Sequence, residues 1–293
     1  MDSNIPLAVR FEENRDHLRA VAYRMLGSAS EAEDAVQEAW LRLTRAGASE
    51  VENLGGWLTT VVARVCLDML RSRKSRREES LTSDEPKAIP AARNPSDPER
   101  EAQLAESLGL ALLVVLETLA PAERLAFVLH DMFAVPFEEI GAMVGRTPAA
   151  ARQLASRARR RVRGASTRSR DELNRQREVI EAFLAALRGG DFEGLIAVLD
   201  PDFVIRADAT VTRTGAPSEE RGARTWASRA LAFSKGIRFA QPALVNGEVG
   251  VVLAPRGRLL RVLVFKLKDG KIAEVDLVGD PTTLEEMQIA VLS

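Results

Sequence analysis

The sequence predicts a multidomain chain: two all-α domains followed by a C-terminal α+β domain. Three observations predict it. Apolar residues recur with helical spacing through residues 1–77 and 101–164. Residues 78–100 break that pattern with Pro86, Pro90, Pro95, Pro98 and six acids, the composition of an extended linker. Residues 176–293 begin as helix and then turn to short β-branched runs, an order that suggests helices on a curved antiparallel sheet. A length of 293 residues has room for these domains.

In the first domain Ala32, Ala35, Val36, Ala39, Trp40 and Leu43 fall on one face of an amphipathic helix, with Ser30 and Glu33 as its capping box. Asp34, Gln37, Glu38 and Leu41 form a second stripe, polar with one leucine set in it. Periodicity reads that stripe equally as a solvated surface or as a docking face. A second helix starts near Trp57, with Leu58, Val62, Val65 and Met69 inward and Thr60, Arg64 and Arg71 on the other side. A loop with Asn53, Gly55 and Gly56 precedes it, and it runs out into residues 71–77, where Arg71, Arg73 and Lys74 are among five basic residues in seven. A basic helix with an aromatic at its start suits melted DNA, because bases stack on the indole while Lys and Arg follow phosphates. Trp57 taken by itself reads as core, and Cys66 as a small buried hydrophobe.

The second domain starts at Asp97-Pro98, a cap followed by a first-turn proline, and continues through Leu104, Leu108, Leu112, Val115 and Leu119. Pro121 restarts a helix with Leu125, Val128 and Leu129, and Pro136 opens another with Ile140 and Val144. In Gly145-Arg146-Thr147-Pro148, Thr147 caps and Pro148 begins a fourth helix. Two short helices joined by a glycine-containing turn make a helix-turn-helix. The fourth helix carries Arg152, Gln153, Ser156, Arg157, Arg159, Arg160 and Arg161, and residues 146–170 hold nine arginines and no acid. The N-terminal side chains of such a helix reach base edges, where Arg pairs with guanine and Gln with adenine.

In the third domain, helices are expected over Arg177–Arg188, Phe192–Leu199 and near Gly222–Phe233, and strands over Phe203–Ala207, Val249–Leu253, Leu259–Leu267 and Ile272–Val278. Residues 176–293 balance 16 acids against 15 bases and contain no His, Cys or Tyr. The commonest acid–base side chain is therefore missing there. Asp208 is a possible pocket carboxylate or a turn residue, and Trp226 a pocket wall or core.

Composition excludes other classes. Net charge is −1, so the chain is not uniformly basic. Its one cysteine, Cys66, and two histidines, His17 and His130, cannot build a structural zinc site. No metal and no cofactor are expected. No run of about eighteen apolar residues offers a membrane span, and Met1–Phe11 does not read as a signal peptide, so the expected location is the cytosol.

Residues 31–43 (EAEDAVQEAWLRL), 56–71 (GWLTTVVARVCLDMLR) and 121–163 (PAERLAFVLHDMFAVPFEEIGAMVGRTPAAARQLASRARRRVR) closely resemble bacterial extracytoplasmic-function (group IV) sigma factors. The resemblance implies a sigma-2 domain over 1–77, a linker over 78–100 and a sigma-4 domain over 101–164. It implies a transcription initiation factor whose partners are core RNA polymerase and promoter DNA. Asp34, Gln37, Glu38 and Leu41 match the polymerase-docking helix. Asn53, Trp57, Arg64, Arg71, Arg73 and Lys74 fall in the segment that opens and reads the −10 element. Thr147, Arg152, Gln153, Ser156, Arg157 and Arg160 fall in the reader of the −35 element.

Residues 176–293 resemble SnoaL-like domains of the cone fold, found at the C-terminus of one sigma-factor subgroup. The resemblance implies regulation in cis, through contact with sigma-2 or the linker. Two subgroup motifs are replaced, by Arg206-Ala-Asp208-Ala-Thr210 and by Gly279-Asp280-Pro281-Thr282-Thr283-Leu284, and the Trp-Leu-Pro linker motif is absent. The competing readings are a helix-turn-helix regulator that does not use polymerase, and a bifunctional protein with a ligand-binding or isomerase-like C-terminal domain.

Overall fold

The computed structural model describes residues 7–46, 51, 53–81, 109–212, 214–230, 237, 239–255 and 258–292, without the side chains of 74 and 76–81. The Asp97-Pro98 helix start, Leu104, Leu108, residues 82–100 of the linker and Phe233 lie outside the described residues. Two compact bodies separate. One takes described residues up to 104 with 116–159, the other those of 105–115 with 160–293.

The first body opens with three mutually packed helices, α1 (Leu7–Leu26), α2 (Ala29–Ala46) and α3 (Leu54–Leu81). The inward face of α2 is Ala32, Ala35, Val36, Ala39 and Leu43. Its alanines let α1 approach closely, and Phe11 of α1 lies on Trp40 with ring centroids 4.9 Å apart. The cap of α2 differs from the expected one. The helix starts earlier, the Glu31 N–H donates to Ser28 Oγ at 3.5 Å, and Glu33 is drawn instead into ion pairs with Arg15 and Arg19. In α3, Leu58, Val62, Val65, Cys66 and Leu70 are buried while Met69 is only half-buried. Burial pushes the Cys66 thiol up to about 12, so it is an inert core residue.

Further helices follow: α4 (Leu110–Thr118), α5 (Pro121–Phe127), α6 (Phe137–Val144) and α7 (Pro148–Arg163). Val128 and Leu129 do not continue α5 as an α-helix. They enter a π-helical turn, Val128–Met132, after which Ala134 takes φ 55° and the Val135 N–H donates to the Leu129 carbonyl. This turn packs on α1, and α5 and α6 pack on α3. At that junction Arg124, 4% exposed, donates to the Met25 carbonyl at 2.8 Å, and burial lowers its pKa to about 10. Arg24 lies over the Phe133 ring at 5.1 Å.

The second body contains α8 (Arg170–Gly189), α9 (Phe192–Val198), β1 (Leu199–Ala207), β2 (Ser218–Arg221), α10 (Ala223–Ala230), β3 (Ala240–Val245), β4 (Glu248–Leu253), β5 (Arg261–Lys268), β6 (Lys271–Val278), α11 (Pro281–Glu286) and β7 (Ile289–Ala290). α8 begins seven residues before the expected Arg177 because Ser169 and Glu172 form a full capping box. The sheet order is β2-β1-β6-β5-β4-β3-β7. It is antiparallel except for β1 and β6, which run parallel. Those two are joined by a long excursion and not a hairpin, as parallel pairing requires. Strand β3 was not expected from sequence, because Pro242 sits inside it. The two-residue turn after Val245 makes Val245, Ala243 and Gln241 the residues that donate to β4, so the missing donor of Pro242 points the other way, where β7 pairs only with Leu244 and Val245. The core holds Phe183, Leu184, Leu195, Phe203, Val251, Phe265, Ile272 and Val275.

Candidate nucleic-acid interface

The turn into α7 is tight. A Cβ on Gly141 would come within 2.8 Å of the Arg146 carbonyl, so glycine lets the two helices of the motif meet. Thr147 Oγ1 accepts the Ala150 N–H at 3.2 Å and caps α7 as its position predicts. Ala151, Leu154, Ala155 and Ala158 form the buried stripe of α7. At 3.6 residues per turn, the opposite face then carries Arg152, Gln153, Ser156, Arg157 and Arg160, all exposed. Arg163, eleven residues after Arg152, continues this face and is exposed. The sequence reading missed it, although the helical period alone would have found it. The Arg152 guanidinium lies 5.2 Å from the Phe137 ring centroid, which steadies its stem without covering its donors. Arg157 is 3.9 Å from Glu123, a loose pair. Arg159 is different: its Nε donates to Asp131 at 2.5 Å, so it is tied to the π-turn.

On α2 the second stripe faces outward. Asp34, Gln37 and Leu41 are exposed, and Glu38 is half-buried and accepts from Arg42 at 2.8 Å. Leu41 is 45% exposed, one of three large hydrophobics left outside among the described residues. Beside the stripe, Phe11, Arg15, Val36, Gln37 and Trp40 line a groove of about 190 Å³.

At the start of α3, exposed Asn53 accepts the Gly56 N–H through Oδ1 at 2.9 Å, an N-terminal cap. Trp57 is half-buried and Arg64 and Arg71 are exposed. Arg73 turns back into the protein, donating to the Leu26 carbonyl at 3.3 Å and pairing with Glu31. Lys74 lies in α3, with its side chain outside the described residues.

In the second body Asp208 sits at a loop junction. Its carboxylate accepts from the Thr210 N–H and hydroxyl, and from the Gly279 and Asp280 N–H groups at 2.6 and 2.8 Å. Burial pushes this carboxyl up, but those donors outweigh it and hold it down at about 2. The two replaced motifs are thus joined directly. Trp226 packs inward, 5.7 Å from Phe183 and 5.1 Å from Phe203 between ring centroids.

The Sigma-70 region 2 family matches residues 10–76 and the Sigma-70 region 4 family residues 109–162. The ECF RNA polymerase sigma factor SigJ of Mycobacterium tuberculosis is 37% identical over 284 residues, 92% of this chain and 91% of that protein. The probable ECF sigma factor SigI of the same organism is 33% identical over 291 residues, 98% of each chain. The crystal structure of M. tuberculosis SigJ superposes with TM-score 0.46 at 31% identity, covering 94% of this chain and 98% of that one.

Proposed function

The chain belongs to the extracytoplasmic-function RNA polymerase sigma factors, and from that membership we propose which surfaces carry the family's work. As a sigma factor it directs promoter-specific transcription initiation with core RNA polymerase. In our reading the α2 stripe of Asp34, Gln37, Glu38 and Leu41 docks on the polymerase. The start of α3, with Asn53, Trp57, Arg64 and Arg71, captures the opened −10 element. The face of α7 enters the major groove at the −35 element, with Arg152 and Gln153 at base edges and Arg157 and Arg160 nearer the phosphates.

The observation that carries this reading is the exposed arginine and glutamine face of α7, uncovered and opposite a stripe of alanines and Leu154. An arginine-rich helix of purely structural use would have its guanidinium groups held as Arg159 is by Asp131, whereas Arg157 has only the loose pair with Glu123 and stays exposed. A regulator that binds DNA without polymerase would not need the second uncovered face on α2 with Leu41 outside.

The C-terminal domain is read as a non-catalytic regulator acting in cis, in contact with sigma-2 or the linker, and not as an isomerase. Phe183 packs on Trp226 and Phe265, and Trp226 on Phe203, so Trp226 serves the core of this domain. Asp208, the carboxylate singled out in the sequence, is occupied by loop N–H groups. No described helix is long and apolar enough to cross a membrane, and the factor works where the polymerase does, in the cytoplasm.

The test is transcription by core polymerase with and without the full chain on a mixture of genomic fragments, with 5′ ends mapped. Initiation at a small set of sites sharing −35 and −10 elements is expected only when the chain is present. Unchanged initiation would overturn the reading.

A further inference from the structure

The last turn of α7, from Arg160, and the residues after it belong to the second body. A helix leaves its last carbonyls without partners, and they are ordinarily met by water or a local cap. Here Gly164 closes the helix in the left-handed conformation, its N–H donating to the Arg160 carbonyl at 3.0 Å. The Val162 carbonyl accepts from Val291, almost at the end of the chain, at 2.8 Å. A Cβ on Gly164 would overlap the Ala290 methyl, so the two backbones touch.

The segment that reaches Val162 is itself fixed. Ile289 and Ala290 are buried and pair with Val245 and Leu244 of β3. Asn246 and Gln288 exchange hydrogen bonds at 2.8 and 2.9 Å. On the other side of Gly164, Ser166 Oγ donates to the Gly247 carbonyl at 2.5 Å, and Arg168 pairs with Glu248 at 2.6 Å. Residues 164–169 are therefore clamped to the β3–β4 hairpin.

We propose that residues 288–291 are a positioning element for −35 recognition, seating the C-terminal end of the DNA-reading helix through the Val162 carbonyl and Gly164. This rests on the reading of α7 given above. The contact engages only backbone at the helix end and leaves Arg152, Gln153, Ser156, Arg157 and Arg160 exposed. Base readout depends on side chains held to a fraction of an ångström, so a helix loosened at one end loses discrimination before it loses general affinity.

The test uses holoenzyme assembled with the full chain and two promoters that differ only in the −35 element. The readout is the ratio of transcript from the intact promoter to that from the scrambled one. Val291→Pro removes the donor to Val162 and should lower the ratio about fivefold, the effect of one hydrogen bond. Val291→Ala keeps the donor and should keep the ratio. Core binding and output from the scrambled promoter should not change in either. Should Val291→Pro fail to fold, Gly164→Ala should lower the ratio and Ala290→Gly in that background should recover part of it. An unchanged ratio in Val291→Pro, an equal loss in Val291→Ala, or no recovery by Ala290→Gly would overturn the proposal. Arg152→Ala separates the two levels. If it leaves the ratio intact, α7 is not the −35 reader. If it lowers the ratio and Val291→Pro does not, only the seat is wrong.

Discussion

Asp208 and His17 show how the fold uses titratable groups for structure. Asp208 joins the loop after β1 to the loop before α11 through the Gly279 and Asp280 N–H groups. Asp208→Ala leaves those donors without their acceptor and should destabilise the C-terminal domain by about 1–3 kcal/mol, read by chemical denaturation. His17 contacts Thr59 at 3.2 Å and the edge of Phe133. Burial first, and the charge of Arg24 second, lower its pKa below the ordinary 6.5. The folded state then favours neutral His17, and the unfolded chain binds more protons once pH drops below about 6.5. Stability from this site is complete above that value and declines as pH falls. The midpoint of thermal unfolding should therefore fall from pH 7.5 to 5.5 by less in His17→Gln than in the parent. An equal fall in both would remove His17 from the account. Neither role was legible in the sequence, since both depend on partners distant along the chain.

At the scale of elements, helices with a clear apolar period were legible, and so was the exposed arginine side of α7 that we read as facing DNA. Arg159 was read as one of the arginines of the fourth helix, but periodicity does not say that Asp131 of the π-turn would reach it. The π-turn itself is too short to leave a periodic signature. Strand β3 was hidden by Pro242, yet Asn246-Gly247 is the turn pair that signals a hairpin and would have restored it. α8 was begun late for want of its Ser169/Glu172 capping box. Two predictions belong to these faces. Reversing charge with Asp34→Lys and Glu38→Lys should weaken core polymerase binding at least tenfold with unchanged helix content by circular dichroism, as expected when like charges are set against a complementary surface. Arg160→Ala should lower promoter affinity similarly for all sequences and reduce the salt slope by about one, whereas a base-reading residue changes preference between sequences.

The order of modules, two helical domains and then an α+β domain, was legible throughout from composition and periodicity. What the sequence could not show is how residues far apart in it close on each other: Arg124 on the Met25 carbonyl, Asp208 on residues 279 and 280, Val291 on Val162. Arg124 is a charged group in a nearly dry site with a carbonyl as its acceptor. Arg124→Ala removes that bond and should make the junction between the two helical domains more sensitive to limited proteolysis. In our reading one chain both docks on polymerase and reads duplex DNA through α7. The most direct test of that reading is run-off transcription by holoenzyme on promoters with single-base changes through the −35 element, comparing the parent with Arg152→Ala/Gln153→Ala. The double variant should still bind core polymerase but lose about 1–3 kcal/mol of discrimination at one or two −35 positions. Full discrimination retained at every position would contradict it.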